Sequence, residues 1–171
     1  MIAPPGDGRL CCEAGGEVLL TKSFSEESYR RALADWAWLP LDGKRPFMAS
    51  LFGDVFLEDD AGIWVLDVLE GSLDRLFDDR GQLAAVLGTE AGQDRYLLAG
   101  LAFGAERRLG LVPGPAQVLA WKLPPVLGAP VAVENLELMD FEVYLSLQGQ
   151  LHRQVKDLPP GTKITGFTFE G

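Results

Sequence analysis

Apolar positions recur at helical spacing, then alternate, then return to helical spacing, and each change of period marks an element. Ser25 is a good N-cap with Glu26 and Glu27 behind it. Tyr29, Leu33 and Trp36 share one face before Pro40, so a helix is expected over 26–37. Two strands over 54–58 and 63–68 follow, joined by an acidic turn that Gly62 can close, and they form the clearest hairpin in the chain. In SLDRLFDD, Ser72 reads as a cap with Leu73, Leu76 and Phe77 on one side, which predicts a short helix. Helical spacing continues over 82–87 and 94–109, the latter marked by Leu97, Leu98, Leu101 and Ala102, until Pro113, Gly114 and Pro115 break the chain.

Beyond that break, QVLAWKL (117–123) and VAVENLEL (131–138) read as strands on either side of the rigid loop PPVLGAP. Asp140 then looks like the cap of a long helix. Its apolar positions Phe141, Tyr144, Leu145, Leu151, Val155 and Leu158 lie on one face, and Pro159 and Pro160 stop it. The tail TKITGFTFE predicts a last strand returning to the sheet, with an irregularity at Gly166. At the other end, CCEAGGEVLL suggests a hairpin around Gly15 and Gly16. No repeat interrupts this order, so the expected fold is α+β, a largely antiparallel sheet with several helices packed on it.

Length and composition narrow the functional classes. With 171 residues, 47% of them apolar, the chain can bury a real core and form a single domain, with 1–48 as an N-terminal lobe of the same compact unit and 49–171 as the main body. A formal net charge of -10 argues against nucleic acid or an anionic membrane as partner and favours a basic one. No stretch reaches the ~18 to 20 apolar residues of a membrane span. MIAPPGDGRL has neither the cationic start nor the apolar run of a secretion signal, so a cytoplasmic protein is expected. Cys11 and Cys12 are adjacent and lack metal-ligand spacing, so they read as idle thiols.

Candidate chemistry is sparse. The one histidine, His152, neighbours Leu151 on the last helix and lies about 100° around from it, at the edge of the buried face, with no nucleophile at hand. A structural or partner-facing role is expected for it. No GxSxG elbow, HExxH, P-loop or dinucleotide fingerprint occurs, so no catalytic residue, no metal ligand and no cofactor is assigned. EDDAG lacks the alternating ligand loop of a calcium site. Trp36 and Trp38 read as core aromatics.

The charge is unevenly placed. Residues 51–79 hold nine acids (Asp54, Glu58, Asp59, Asp60, Asp67, Glu70, Asp74, Asp78, Asp79) and one base, Arg75, against 16 acids and 14 bases elsewhere. The field of the protein is therefore expected to be lopsided, with this face either simply solvated or used to dock a basic protein.

The run VENLELMDFEVYLSLQGQLHRQVKDLPPGTKI, the preceding KLPPVLG and the upstream FGDVFLEDDAG resemble the C-terminal domain of bacterial immunity proteins linked to type VI secretion, often found with a GAD-like N-terminal region. The resemblance covers roughly residues 50–165. It implies an antidote that binds and neutralises an injected toxin, a nuclease or a nucleotide-modifying enzyme, and it brings no catalytic residue with it. An occlusion mechanism is then expected, with Glu58, Asp59, Asp60, Glu70, Asp74 and Asp78 as the toxin-binding acids. The alternative is a small-molecule-binding regulatory domain using Trp64 and Trp121 as pocket walls. A carboxylate-based enzyme is the third option.

Overall fold

The computed structural model describes residues 19–170 apart from 160 and 163. Cys11, Cys12 and the hairpin expected around Gly15 and Gly16 lie outside the described residues. Alternation of apolar side chains builds a five-stranded antiparallel sheet in chain order: β1 (Thr21–Lys22), β2 (Arg45–Ser50), β3 (Val55–Asp59), β4 (Gly62–Asp67) and β5 (Ser72–Phe77). Successive β4 residues Val65 and Leu66 face opposite sides and are both buried, so the sheet is covered on both faces. A second antiparallel pair, β6 (Gln117–Trp121) and β7 (Leu136–Asp140), docks through a hydrogen bond from Leu119 N to Leu51 O at 2.7 Å. Five helices complete the described α+β fold: α1 (Glu26–Ala32), α2 (Arg80–Leu87), α3 (Glu90–Leu97), α4 (Ala99–Leu109) and α5 (Phe141–Val155).

The described residues up to 50 join the same core. β2 crosses residue 48, and Phe24 stacks on Phe141 of α5 with ring centroids 3.8 Å apart. The Trp36 and Trp38 indoles donate to the α5 carbonyls of Leu145 (2.9 Å) and Gly149 (3.2 Å). Gly149 permits this approach, because a Cβ there would sit 2.9 Å from the Asp35 carbonyl carbon. Helix α5 begins as its sequence predicts, with the Asp140 carboxylate accepting from Glu142 N and Val143 N. It buries Phe141, Tyr144, Leu145 and Leu151, each contributing roughly 1.5–3 kcal/mol by area removed from water.

Several elements differ from expectation. Residues 72–77 form strand β5, not a helix. Gly71, at φ 69° and donating to Asp67 O at 2.8 Å, folds the chain back onto β4, and the ladder with β4 outweighs the weak helical spacing of three apolar side chains. A register shift between Ile63 and Trp64 lets Phe77 still reach the core. The helix expected over 26–37 ends at Ala32 and continues as a 3-10 turn, Ala34–Trp36, which aims the Trp36 indole at α5. The helix expected over 94–109 is two helices. Leu98 at φ 51° breaks it, and the Asp94 carboxylate accepts from Gly100 N at 3.0 Å, while Thr89 caps an earlier start.

Residues 133–135 make a 3-10 turn, and only from Leu136 does a strand run. The described tail residues 164–170 form no strand. Instead, two glutamine side chains of α5 stand in for a neighbouring strand: Gln154 exchanges hydrogen bonds with Thr168, and Gln150 with Glu170. No described helix is long and apolar enough to cross a membrane.

Candidate functional site

The three-stranded meander β3–β4–β5 has its acids at both ends, and the two ends are built differently. At the β3–β4 turn, local cations meet the acids. Arg80, arriving from α2, binds Glu58 at 2.7 Å and lies 4.1 Å from the Phe47 ring centroid. Lys44 lies 3.6 Å from Asp59 and 4.1 Å above the Trp64 ring. The Trp64 indole beside it, then the turn amides of Ala61 and Gly62 together with Lys44, hold the Asp59 carboxyl below the usual carboxylate range. Arg75 ties Asp78, at 3.0 Å, to the Ala61 carbonyl, and Asp79 caps α2 through Gln82 N. Asp60 is exposed and forms no ion pair with a described residue.

At the opposite end, Asp54, Asp67, Glu70 and Asp74 gather along a cavity of about 260 Å³. Its walls come from one face of the meander (Val65, Ser72, Leu76), from the α3–α4 corner (Arg95, Tyr96, Leu98) and from Phe52 and Trp121, whose rings stack at 5.8 Å. None of these four carboxylates forms a salt bridge with a described residue. Arg95, the basic residue on the wall, lies toward the Tyr96 ring, 5.3 Å from its centroid. Asp54 accepts from Ser50 Oγ at 2.7 Å and Val68 N at 2.9 Å. Loss of water and then the Asp67 charge nonetheless push its pKa up to about 6. Among the described residues, no group of three or more His, Cys, Asp or Glu side chains is arranged to hold a metal ion.

His152 holds this end of the meander from behind. It is 4% exposed, deeper than the edge position its sequence context implies. Its Nε2 lies 2.9 Å from Val68 O, so the ring donates there as the Nε2–H tautomer. It packs 5.6 Å from Trp36. Burial lowers its pKa, against the opposing pull of the Val68 bond and the Asp67 and Glu70 charges. A Cβ on Gly71 would come within 2.3 Å of His152 Nδ1, so the turn carrying Glu70 and the imidazole share one tightly filled space. The histidine is thus a positioning residue, remote from solvent.

The six acids singled out from sequence therefore fall apart into two sets. Glu58, Asp59, Asp60 and Asp78 sit at the paired end, and Glu70 and Asp74 sit at the cavity. Asp54 and Asp67, passed over earlier, belong to the cavity too. Counting outward from the Asp59–Gly62 turn was the signal that would have found them: the ladder runs to Val55 opposite Leu66, and one further step sets Asp54 opposite Asp67. Trp64 and Trp121 do not share a pocket, since Trp121 lines the cavity and Trp64 lies under Lys44.

Comparison with known proteins adds the fold and little else. No family model matches the chain, and no curated protein matches it. Among solved structures it is similar to Atu4351 from Agrobacterium tumefaciens, at 17% identity and a TM-score of 0.54. The match covers 77% of this chain and spans 66% of the length of that one. At this identity the likeness establishes a shared fold.

Proposed function

We propose that this protein is an immunity protein, which binds a cognate antibacterial toxin delivered by type VI secretion and neutralises it by covering its active site. The observation that carries the reading is the set of four carboxylates, Asp54, Asp67, Glu70 and Asp74, collected at one cavity and left without a described salt-bridge partner. Such a surface is complementary to a basic cleft, and a cleft built to hold phosphate is basic. The resemblance of residues 50–165 to immunity proteins supports the same conclusion from the sequence. Opposite charge speeds encounter, while apolar contacts such as those of exposed Leu76 at the cavity rim supply holding strength.

The test is co-production with the product of the neighbouring open reading frame. Growth is expected to be restored, and the two proteins are expected to co-elute as a stable complex. Absence of both effects sinks the reading.

A further inference from the structure

We infer that strand β5 is a receptor edge: an extended, basic segment of a partner protein adds to the sheet as a sixth strand beside Ser72–Phe77, placing a lysine or arginine side chain in the acidic cavity. Three observations converge on that strand. First, β5 ends the sheet order, and among the described residues no strand pairs with its outer side, which leaves a row of backbone donors and acceptors available. Second, Asp74, Arg75 and Leu76 are exposed, with no described helix or loop burying them. Natural sheets blunt such an edge with charges and bulges, and here Asp74, Arg75 and the β4–β5 register shift do so against strands of like composition, while the acidic Asp74 beside the half-exposed Leu76 leaves the edge complementary to a basic segment. Third, the side chains that alternate along one face of β5, Ser72, Asp74 and Leu76, are themselves cavity wall.

The geometry follows from strand spacing. A strand added to β5 lies ~4.8 Å beyond it, with every second side chain on the cavity face. Those side chains would meet Asp74 directly and Glu70 and Asp67 beyond it, with Tyr96 and Trp121 to line an aliphatic stem. About 260 Å³ suits one long side chain and is small for a drug-sized ligand. Backbone pairing thus supplies affinity while the cavity selects a cation, the division of labour seen in strand addition generally. The identity of the partner as a toxin rests on the immunity reading; the edge itself does not.

The probe is a blocked octapeptide of alternating arginine and valine. At low salt it is expected to bind the full chain and to slow hydrogen exchange of the outward-facing β5 amides at least tenfold. Methylating its backbone nitrogens on alternate residues, or replacing Asp74→Lys in the protein, is expected to weaken binding at least tenfold. Binding that leaves β5 exchange unchanged, or that survives both alterations, overturns the inference, as does no binding at all. Co-production with the neighbouring frame separates the two ideas. If wild type and Asp74→Lys rescue growth equally and the peptide does not protect β5, the edge is wrong and the immunity reading stands. If the peptide protects β5 but wild type never rescues, the edge stands and the immunity reading is wrong.

Discussion

The two ends of the meander begin from the same material, a short acidic turn between antiparallel strands, and arrive at opposite states. At the β3–β4 turn, Lys44, Arg75 and Arg80 are spent on Glu58, Asp59 and Asp78. Two of those cations lie outside the acid-rich stretch in sequence and are brought in by the fold. At the β4–β5 end no described cation closes on Asp54, Asp67, Glu70 or Asp74, and one of the four is desolvated enough to titrate near pH 6. Acid count alone treats the ends as equal. Pairing distinguishes them, and an acid already paired at 3 Å has little field left for a partner.

The sharpest way to break the unpaired end is Gly71→Ala. The residue sits at φ 69°, and the new methyl would overlap the His152 ring, which Trp36 prevents from retreating. A loss of about 3 kcal/mol or more is expected in urea denaturation, the size reserved for steric overlap in a core.

Next in size is the pH response of Asp54. Its folded pKa near 6 exceeds the ordinary 3.8, so the native state holds a proton where the unfolded chain does not. That contribution is complete below pH 3.8 and is lost as pH rises through 6. At about 1.4 kcal/mol per pH unit, the displacement amounts to ~3 kcal/mol. Asp54→Asn is therefore expected to gain stability relative to wild type by up to that amount between pH 4 and pH 7.5, checked by urea titrations at both values. An unchanged difference would mean that water reaches Asp54 freely.

His152 works in the other direction. Its folded pKa lies below the ordinary 6.5, so its contribution is full above pH 6.5 and declines as pH falls. His152→Phe keeps the ring packing on Trp36 but strips Val68 O of its donor, and an unpaired buried carbonyl costs about 1–3 kcal/mol. The expected signature is a loss of that size at pH 7.5 which shrinks in acid.

How much of this was legible beforehand depends on how local each cause is. The β3–β4 hairpin and the α5 cap are written in neighbouring residues, Gly62 and Asp140, and were recovered from them. Strand β5 was misread as a helix because Leu73, Leu76 and Phe77 are compatible with both periods, and only the β4 ladder decides. The single helix expected over 94–109 failed for a similar reason, since Asp94 can cap α4 only once Leu98 adopts a left-handed turn. The acidic stretch was recognised as a feature, but its division was not, because Lys44 and Arg80 reach their acids through the folded sheet. His152 was placed at the edge of the buried face, yet its burial against Val68 and Gly71 crosses more than eighty residues. No local pattern reports that.

The mildest test compares the ends by charge alone. Converting Glu58, Asp59 and Asp78 to their amides removes acids whose fields are already answered by nearby cations. The part-exposed Arg75–Asp78 and Arg80–Glu58 pairs contribute about 0–1 kcal/mol each. Most of any stability loss should therefore come from Asp59, whose Lys44 partner is largely buried and whose carboxylate also accepts from the turn amides, and association with the proposed partner should change less than about threefold. Converting Asp67, Glu70 and Asp74 removes unanswered charge, and association at low ionic strength should slow by about tenfold. Raising salt to 0.5 M shortens the screening length to roughly 4 Å and should erase the difference between the two triple variants. Stopped-flow association rates at both salt concentrations provide the measurement. Equal slowing by the two triples would show that total acidity governs encounter, and the distinction between paired and unpaired ends would then have no kinetic meaning.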